Sequence, residues 1–259
     1  MIELFGEAFD DSGFRALANF VFFPTIDSTN AVGRGLIDHA QREEVDLAAT
    51  VIAAATQTEG RGRRERPWSS PEGGLYVSFV FRVPEGAALP HLPLAAAVWV
   101  ARTAVSAGVD ARLKWPNDVL CGDKKLAGVL IQAKTRGDET HVAIGIGVNV
   151  RAASGLVAGA TSIEREAGPE GPKASVASFL GEMCRQCEDY LADPRGPRVV
   201  EDWLERSRHV PGDEMRVLVE EGSGKTIDGR FAGLTAEGLL RLARDGSEIV
   251  VASGEVESW

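Results

Sequence analysis

Apolar and polar positions along the chain change period several times, and each change marks an element. Residues 1–19 have no strong period, and Phe20-Val21-Phe22-Phe23 then reads as a short buried strand stopped by Pro24. Asp27-Ser28-Thr29-Asn30 supplies helix-capping chemistry ahead of Val32, Leu36, Ile37 and Ala40, which share one helical face. Residues 47–56 form a continuous apolar run of strand length. Gln57-Thr58-Glu59 leads from it into Gly60-Arg61-Gly62-Arg63-Arg64-Glu65-Arg66-Pro67, an octet whose composition predicts a mobile loop. Leu75, Val77, Phe79 and Phe81 alternate as in a strand, and residues 92–107 have the alanine-rich texture of a packed helix.

Residues 111–115, 119–121 and 126–131 read as strands joined by tight turns. In residues 141–150, Val142, Ile144, Ile146, Val148 and Val150 point one way, while Ala143, Gly145, Gly147 and Asn149 point the other. A strand with one face of nearly bare backbone admits a close approach, either by a ligand or by a packed helix. Residues 173–191 and 197–207 are helix-like, so the first part of the chain is a mixed α/β domain. After Val210-Pro211-Gly212 the texture changes to short runs at 215–219, 226–232, 239–243 and 249–252, separated by glycine-bearing turns, which predicts a small appended β-barrel.

Composition narrows the classes. A chain of 259 residues, 44% hydrophobic and 25% charged, can bury a sizeable core as one large domain plus a small one. Its formal net charge of −10 argues against non-specific binding to nucleic acid or anionic membranes, so any basic patch is local. Three cysteines make no disulfide framework and suit a reducing compartment. The acidic start Met1-Ile2-Glu3-Leu4 is unlike a signal peptide, and no apolar run approaches the ~18 residues of a membrane span, so a cytoplasmic location is expected.

Several motif-like stretches fail on their own chemistry. Gly222-Ser223-Gly224-Lys225-Thr226 resembles the end of a phosphate-binding loop, but Val219 stands where the first glycine belongs, and a hairpin turn is the better reading. Gly60-Arg61-Gly62-Arg63-Arg64-Glu65 has Glu65 where a dinucleotide fingerprint needs its third glycine. Cys184 and Cys187 sit inside an amphipathic helix pattern and read as structural thiols, and the four histidines show no ligand spacing.

The arginine octet is different. Arg61, Arg63, Arg64 and Arg66 concentrate positive charge in an acidic chain, and guanidinium groups chelate carboxylate or phosphate oxygens in pairs while glycines bring amides close. Lys114-Trp115-Pro116-Asn117-Asp118 and Lys124-Lys125-Leu126-Ala127-Gly128 place a second cluster of basic, acidic and amide groups at strand turns, where a sheet holds them firmly. An anion-clamping loop, a glycine-floored strand and this cluster together point to a carboxylate-plus-nucleotide site.

These blocks also carry a resemblance. Asp27-Ser28-Thr29-Asn30, Gln57 with Gly60-Arg61-Gly62-Arg63-Arg64, Trp68, Lys114-Trp115-Pro116-Asn117-Asp118, Lys125-Leu126-Ala127-Gly128, Gly145-Ile146-Gly147-Val148-Asn149 and Ala160-Thr161-Ser162-Ile163 resemble the biotin–protein ligases in order and spacing, over residues 24–163. The tail from Pro211 is similar to that family's SH3-like C-terminal domain. The resemblance implies an α/β (α+β) fold. Residues 1–209 would form a mixed β-sheet catalytic domain of the biotin/lipoate ligase type, like that of class II aminoacyl-tRNA synthetases, and residues 210–259 an SH3-like β-barrel.

The implied reaction uses ATP, Mg²⁺ and biotin to make biotinyl-5′-AMP and pyrophosphate, then biotinylates a lysine of the biotin carboxyl carrier protein of a carboxylase. Carried onto this chain, the resemblance implies that Ser28, Thr29 and Gln57, supported by Asn30, hold the biotin ureido ring. Gly60, Arg61, Gly62 and Arg63 would wrap the carboxylate, with Gly128 and Gly145 beside the biotin. Arg61, Arg63, Arg66, Trp68, Lys114, Asn117, Lys125 and Asn149 would meet the nucleotide. Arg63, Lys125 and Asp118 would be catalytic, with Asp118 accepting a proton, and no metal-ligating residue is assigned. Glu65 stands where the family pattern has glycine and Pro67 follows Arg66, which alters the loop's charge and flexibility; catalysis is expected to survive. Few residues precede the Asp27 motif, so no winged-helix repressor activity, DNA partner or membrane partner is expected, and the assembly is a monomer or homodimer. A lipoate–protein ligase or octanoyltransferase, and a catalytically silent biotin sensor, are the alternatives.

Overall fold

A computed structural model of the chain describes residues 1–85, 87–151, 155–169, 171, 175–193, 198–220, 222 and 224–258. The chain opens with a hairpin of β1 (Ile2–Leu4) and β2 (Glu7–Phe9), strands too short to show a period in the sequence. Then follow β3 (Asn19–Ile26), α1 (Thr29–Glu43), β4 (Thr50–Gln57), β5 (Leu75–Arg82), α2 (His91–Ser106), β6 (Ala111–Lys114), β7 (Asp118–Cys121), β8 (Lys124–Arg136) and β9 (Glu139–Val148). Three helices close this part: α3 (Ile163–Ala167), α4 (Val176–Ala192) and α5 (Val199–Glu205).

Seven strands form one mixed sheet in the order β3-β4-β5-β9-β8-β7-β6, in which β3 and β4 are parallel and the other pairs antiparallel. The strand expected to stop at Pro24 runs on to Ile26, because β3 is an edge strand, where proline's missing N–H is tolerated. Ser28 caps α1 as its side chain accepts a hydrogen bond from the Ala31 amide. β5 is buried on both faces rather than one: Phe79 meets Trp99 of α2 edge-on at 5.9 Å, and Val80 on the opposite face joins Ile37 of α1, Ile52 and Ala143. The helix expected over 173–191 begins at Val176, capped by Ser175, and that over 197–207 spans Val199–Glu205; Lys173 and Pro197 lie outside the described residues. Cys184 and Cys187 are buried free thiols on α4, and burial pushes both upward in pKa.

The C-terminal part is an antiparallel sheet of β10 (Glu214–Glu220), β11 (Lys225–Leu234), β12 (Leu240–Arg244), β13 (Ser247–Val251) and β14 (Glu255–Ser258), ordered β13-β12-β11-β10-β14. It matches the SH3-like expectation in strand order along the chain, but β13 and β14 do not pair among the described residues, so the barrel is open. β10 and β11 pair as the hairpin expected in place of a phosphate loop, and Ser223, part of that motif-like stretch, lies outside the described residues. No helix among the described residues is long and apolar enough to cross a membrane.

Glu188 of α4 anchors the segment before β3. Its carboxylate accepts hydrogen bonds from the amides of Arg15, Ala16 and Leu17, at 3.1, 3.0 and 2.6 Å. Partial burial raises the carboxyl's pKa, but the three amides outweigh it and the net direction is downward. A depressed folded-state pKa stabilises the fold above the unfolded carboxylate value, and that stabilisation is lost as pH falls through the folded one. Glu188→Ala is therefore expected to cost ~1–3 kcal/mol at neutral pH, lowering the melting temperature by roughly 2–10 °C. Thermal melts at pH 7 and pH 3 check this, with a smaller difference between variant and parent at pH 3.

Candidate active site

Where α1 begins and β4 ends, a cavity of about 250 Å³ opens between the sheet, the loop after β4 and the C-terminal strands. One end is a neutral polar network. Gln57 Oε1 accepts from the Thr29 amide at 2.9 Å and the Thr29 hydroxyl at 3.2 Å, while Gln57 Nε2 donates to Ser70 Oγ at 3.0 Å. Ser78 Oγ, fully buried on β5, donates to Thr29 Oγ1 at 3.0 Å and Asn30 Oδ1 at 3.3 Å, fixing both side chains. Ser28, Thr29, Asn30 and Gln57 all line the cavity. Buried groups of this kind suit a polar heterocycle, because each needs a partner when water is excluded.

The floor is the bare face of β9 and β8. A Cβ at Gly145 would lie 2.9 Å from Asn30 Cγ, and one at Gly147 would lie 2.5 Å from the Trp68 indole nitrogen. Gly128 is covered by Trp68 as well, at 3.2 Å. The packed-helix reading holds for part of the face, where Asn30 of α1 covers Gly145, and the indole of Trp68 covers Gly147 and Gly128. The Trp68 Nε1–H is buried with no hydrogen-bond partner among the described residues, although it lines the cavity wall.

The other end is charged. Arg61, Arg63, Arg66, Lys114 and Lys125 line it against two carboxylates, Asp118 and Glu255. Lys125 Nζ contacts Asp118 Oδ1 at 2.7 Å and sits 5.4 Å from the Trp68 ring centroid. In the β7–β8 hairpin Lys125 pairs with Leu120 and Asp118 with Gly128, so the Lys125 side chain reaches Asp118 diagonally across the strands. Burial lowers the pKa of Arg63, with repulsion from Arg64 adding to it, and burial lowers that of Lys114 against the raising effect of Asp118. Among the described residues no cluster of three or more metal-ligating side chains exists. One carboxylate, Asp118, beside cations that would hold phosphates is nevertheless a donor set that fits Mg²⁺, which binds through one or two carboxylates plus substrate phosphates.

The arginine octet is pinned rather than loose. Arg64 and Arg66 both pair with Glu255 of β14, at 3.1 and 2.6 Å, and Arg64 also donates to the Leu218 carbonyl at 3.2 Å. Arg63 donates to the Gly254 carbonyl at 2.9 Å and to Asn117 Oδ1 at 3.3 Å. Burial pushes the Glu255 carboxyl up, but the hydrogen bond from Arg66 and the charges of Arg66, Arg64 and Lys114 bring it below the usual range. Glu65 adopts a left-handed backbone, φ 56°, next to Arg64 at φ 57°, so the position expected to hold glycine keeps glycine's conformation. Its carboxylate reaches only 3.9 Å from Arg61 and is almost fully exposed.

Two expected site residues stand apart. Asn149 does not line the cavity: its side-chain amide donates to the Thr161 carbonyl, and its backbone ties Leu126 to Ile163, so it braces the segment after β9. Gly60 is also outside the lining, and its role is steric, since a Cβ there would lie 2.6 Å from the Trp68 carbonyl oxygen. Conversely, Glu255 and Ser78 were not legible as site residues. Ser78 is a polar residue at a core position of an apolar strand, which is a usable signal, whereas Glu255 is one of many surface-type acids and reaches the site only through the C-terminal sheet.

Glu255→Ala removes the carboxylate shared by Arg64 and Arg66 and should loosen the octet while leaving the sheet intact. Limited trypsinolysis after Arg61, Arg63 and Arg64 is expected to accelerate several-fold, as for a segment with fewer contacts. Unchanged cleavage would show that the clamp does not restrain the loop.

The pattern that defines the Biotin/lipoate A/B protein ligase family matches residues 22–149. The chain is 33% identical over 221 residues to a biotin–[acetyl-CoA-carboxylase] ligase of Paracoccus denitrificans, covering 79% of this chain and 88% of that one. It is 31% identical over 252 residues to the bifunctional ligase/repressor BirA of Bacillus subtilis, covering 88% and 75%. The structure of the Aquifex aeolicus biotin protein ligase in complex with biotin and ATP superposes with a TM-score of 0.72 and 26% identity, covering 93% of this chain and 98% of that one. The chain thus belongs to the Biotin/lipoate A/B protein ligase family, among its biotin–protein ligases, which are ATP-dependent ligases.

Proposed function

We propose that the protein activates biotin with ATP to biotinyl-5′-AMP and pyrophosphate, then transfers biotin to a lysine of a biotin carboxyl carrier protein. One observation carries this: a single cavity joins a neutral hydrogen-bonding end to an end where five cations face two carboxylates. That division suits a molecule with a polar heterocycle at one end and a carboxylate at the other, meeting a triphosphate.

The first step brings two anions together, so positioning and neutralisation are the work to be done. Ser28, Thr29 and Gln57, held by Asn30 and Ser78, receive the ureido ring; each buried group left without a partner would cost ~1–3 kcal/mol. Arg61, Gly62 and Arg63 wrap the carboxylate, with Gly128 and Gly145 leaving room beside the biotin. Lys125 leaves Asp118 to stabilise charge as the carboxylate oxygen attacks the α-phosphorus and pyrophosphate departs. Arg66, Lys114 and Asn117 hold phosphates, and Trp68, with its unpaired indole N–H, offers a surface to the adenine. Mg²⁺ held by Asp118 and the phosphates would neutralise phosphate charge. In the second step the lysine nitrogen attacks the acyl carbon, the bond to the phosphate oxygen breaks, AMP leaves, and Asp118 takes the amine proton.

Ligase action without operator binding is part of the same reading, in keeping with the formal net charge of −10. A cytoplasmic location accords with three free cysteines.

The test is biotin-dependent pyrophosphate release from MgATP, with lipoate and octanoate as controls. Release with biotin alone supports the reading; release with lipoate or octanoate alone indicates the related acyltransfer activities, and binding of biotin without release indicates a sensor. Lys125→Ala is expected to slow release about 100-fold or more, the scale of losing one preorganised charge stabiliser, while the protein stays folded by circular dichroism. Arg63→Ala is expected to let biotinyl-AMP escape into solution, measured by mass spectrometry after gel filtration.

A further inference from the structure

A second chamber of about 380 Å³ lies against the first, and the two share Arg63, Trp115, Pro116, Asn117, Val129 and Leu130 as walls. The walls it does not share with the first include Pro93, Ile131 and the exposed Ala252 and Ser253, in the turn that precedes β14. We propose that this chamber is the path by which the acceptor lysine reaches the acyl phosphate, and that the Arg63 side chain is its gate. The inference rests on the function proposed above.

Three features support it. On the function proposed above, biotin and nucleotide together fill the first chamber, so a protein-borne amine needs another way in, and the second chamber adjoins the first across Arg63 and Asn117, which line both. Its walls are largely apolar, matching the four methylenes of a lysine side chain, with Asn117 Oδ1 as an acceptor at the inner end. Arg63 and Arg64 also line it, and nearby positive charge favours the neutral amine, the form with a free lone pair.

The gate follows from what holds Arg63. Its acceptors on the protein are both uncharged, the Gly254 carbonyl and Asn117 Oδ1. Hydrogen bonds to an ionised phosphate are roughly twice as strong as those between neutral groups. Formation of the adenylate draws the guanidinium from the wall to the phosphate and joins the chambers. The amine nitrogen then bonds to the acyl carbon, the acyl–oxygen bond to AMP breaks, and the amine proton passes to Asp118.

Ser253 is exposed in its turn, and Ser253→Trp plugs the outer mouth. Three readouts decide: biotin-dependent pyrophosphate release with retained biotinyl-AMP, transfer to an apo biotin carboxyl carrier domain, and transfer to n-butylamine as a detached lysine side chain. The expected result is adenylation within about twofold of the parent and both transfers slowed about tenfold or more, a loss on the scale of misplacing a reactant. Ala252→Trp, at the neighbouring exposed position, serves as a second plug, and Ser253→Ala should behave as the parent. Unchanged transfer in both plugged variants overturns the proposal. So does loss of carrier transfer with butylamine transfer intact, which would mean that the plug blocks docking and the lysine enters elsewhere. Absence of adenylation in the parent would sink the functional reading itself.

Discussion

Like-charge repulsion in a partly buried space is the constraint around which this molecule is arranged. Two unit charges 4 Å apart interact by about 4 kcal/mol at the effective dielectric near a protein surface, and five cations line one cavity here. Within the protein the repulsion is relieved from two directions. Asp118 takes Lys125 from within the main sheet, and Glu255 takes Arg64 and Arg66 from the C-terminal sheet. Substrate oxygens would replace these partners, so the pairs that stabilise the resting site are also the ones that binding exchanges. The C-terminal sheet thereby holds the arginine loop at the candidate site, through Glu255 and the carbonyls of Leu218 and Gly254.

The same constraint accounts for the backbone of the octet. Arg64 and Glu65 both take left-handed conformations, at roughly 1–2 kcal/mol each for residues with a Cβ. The turn they make presents Arg63, Arg64 and Arg66 to the C-terminal sheet, where each finds a partner in a carbonyl or in Glu255. Glu65 is turned outward and exposed, so the departure from glycine leaves the guanidinium arrangement in place.

Much of the fold was legible because the elements around the site are long and periodic. α1, α2, β5 and β9 carry patterns set by burial, and the Ser28 cap is a local signal that needs no tertiary knowledge. The misses have physical causes. β1, β2, α3 and β14 are too short to display a period, and Pro24 was read by its local effect when its edge position decided the outcome. In the site, motif residues that touch one another across strand turns, such as Asp118 and Lys125, were found together. Glu255 was not, since it lies 189 residues from its partner Arg66 and nothing local marks it. Asn149 is a motif residue whose side-chain amide donates to the Thr161 carbonyl, a contact that nothing in the local sequence marks.

The central claim is that the site's cations exchange protein partners for substrate oxygens. A crystal structure with a non-hydrolysable biotinyl-adenylate analogue tests it most directly. The account predicts Arg63 withdrawn from the Gly254 carbonyl and Lys125 withdrawn from Asp118, both within ~3 Å of ligand oxygens, with the ureido ring among Ser28, Thr29 and Gln57. Arg63 and Lys125 still on their present partners, with the ligand bound elsewhere, would contradict it.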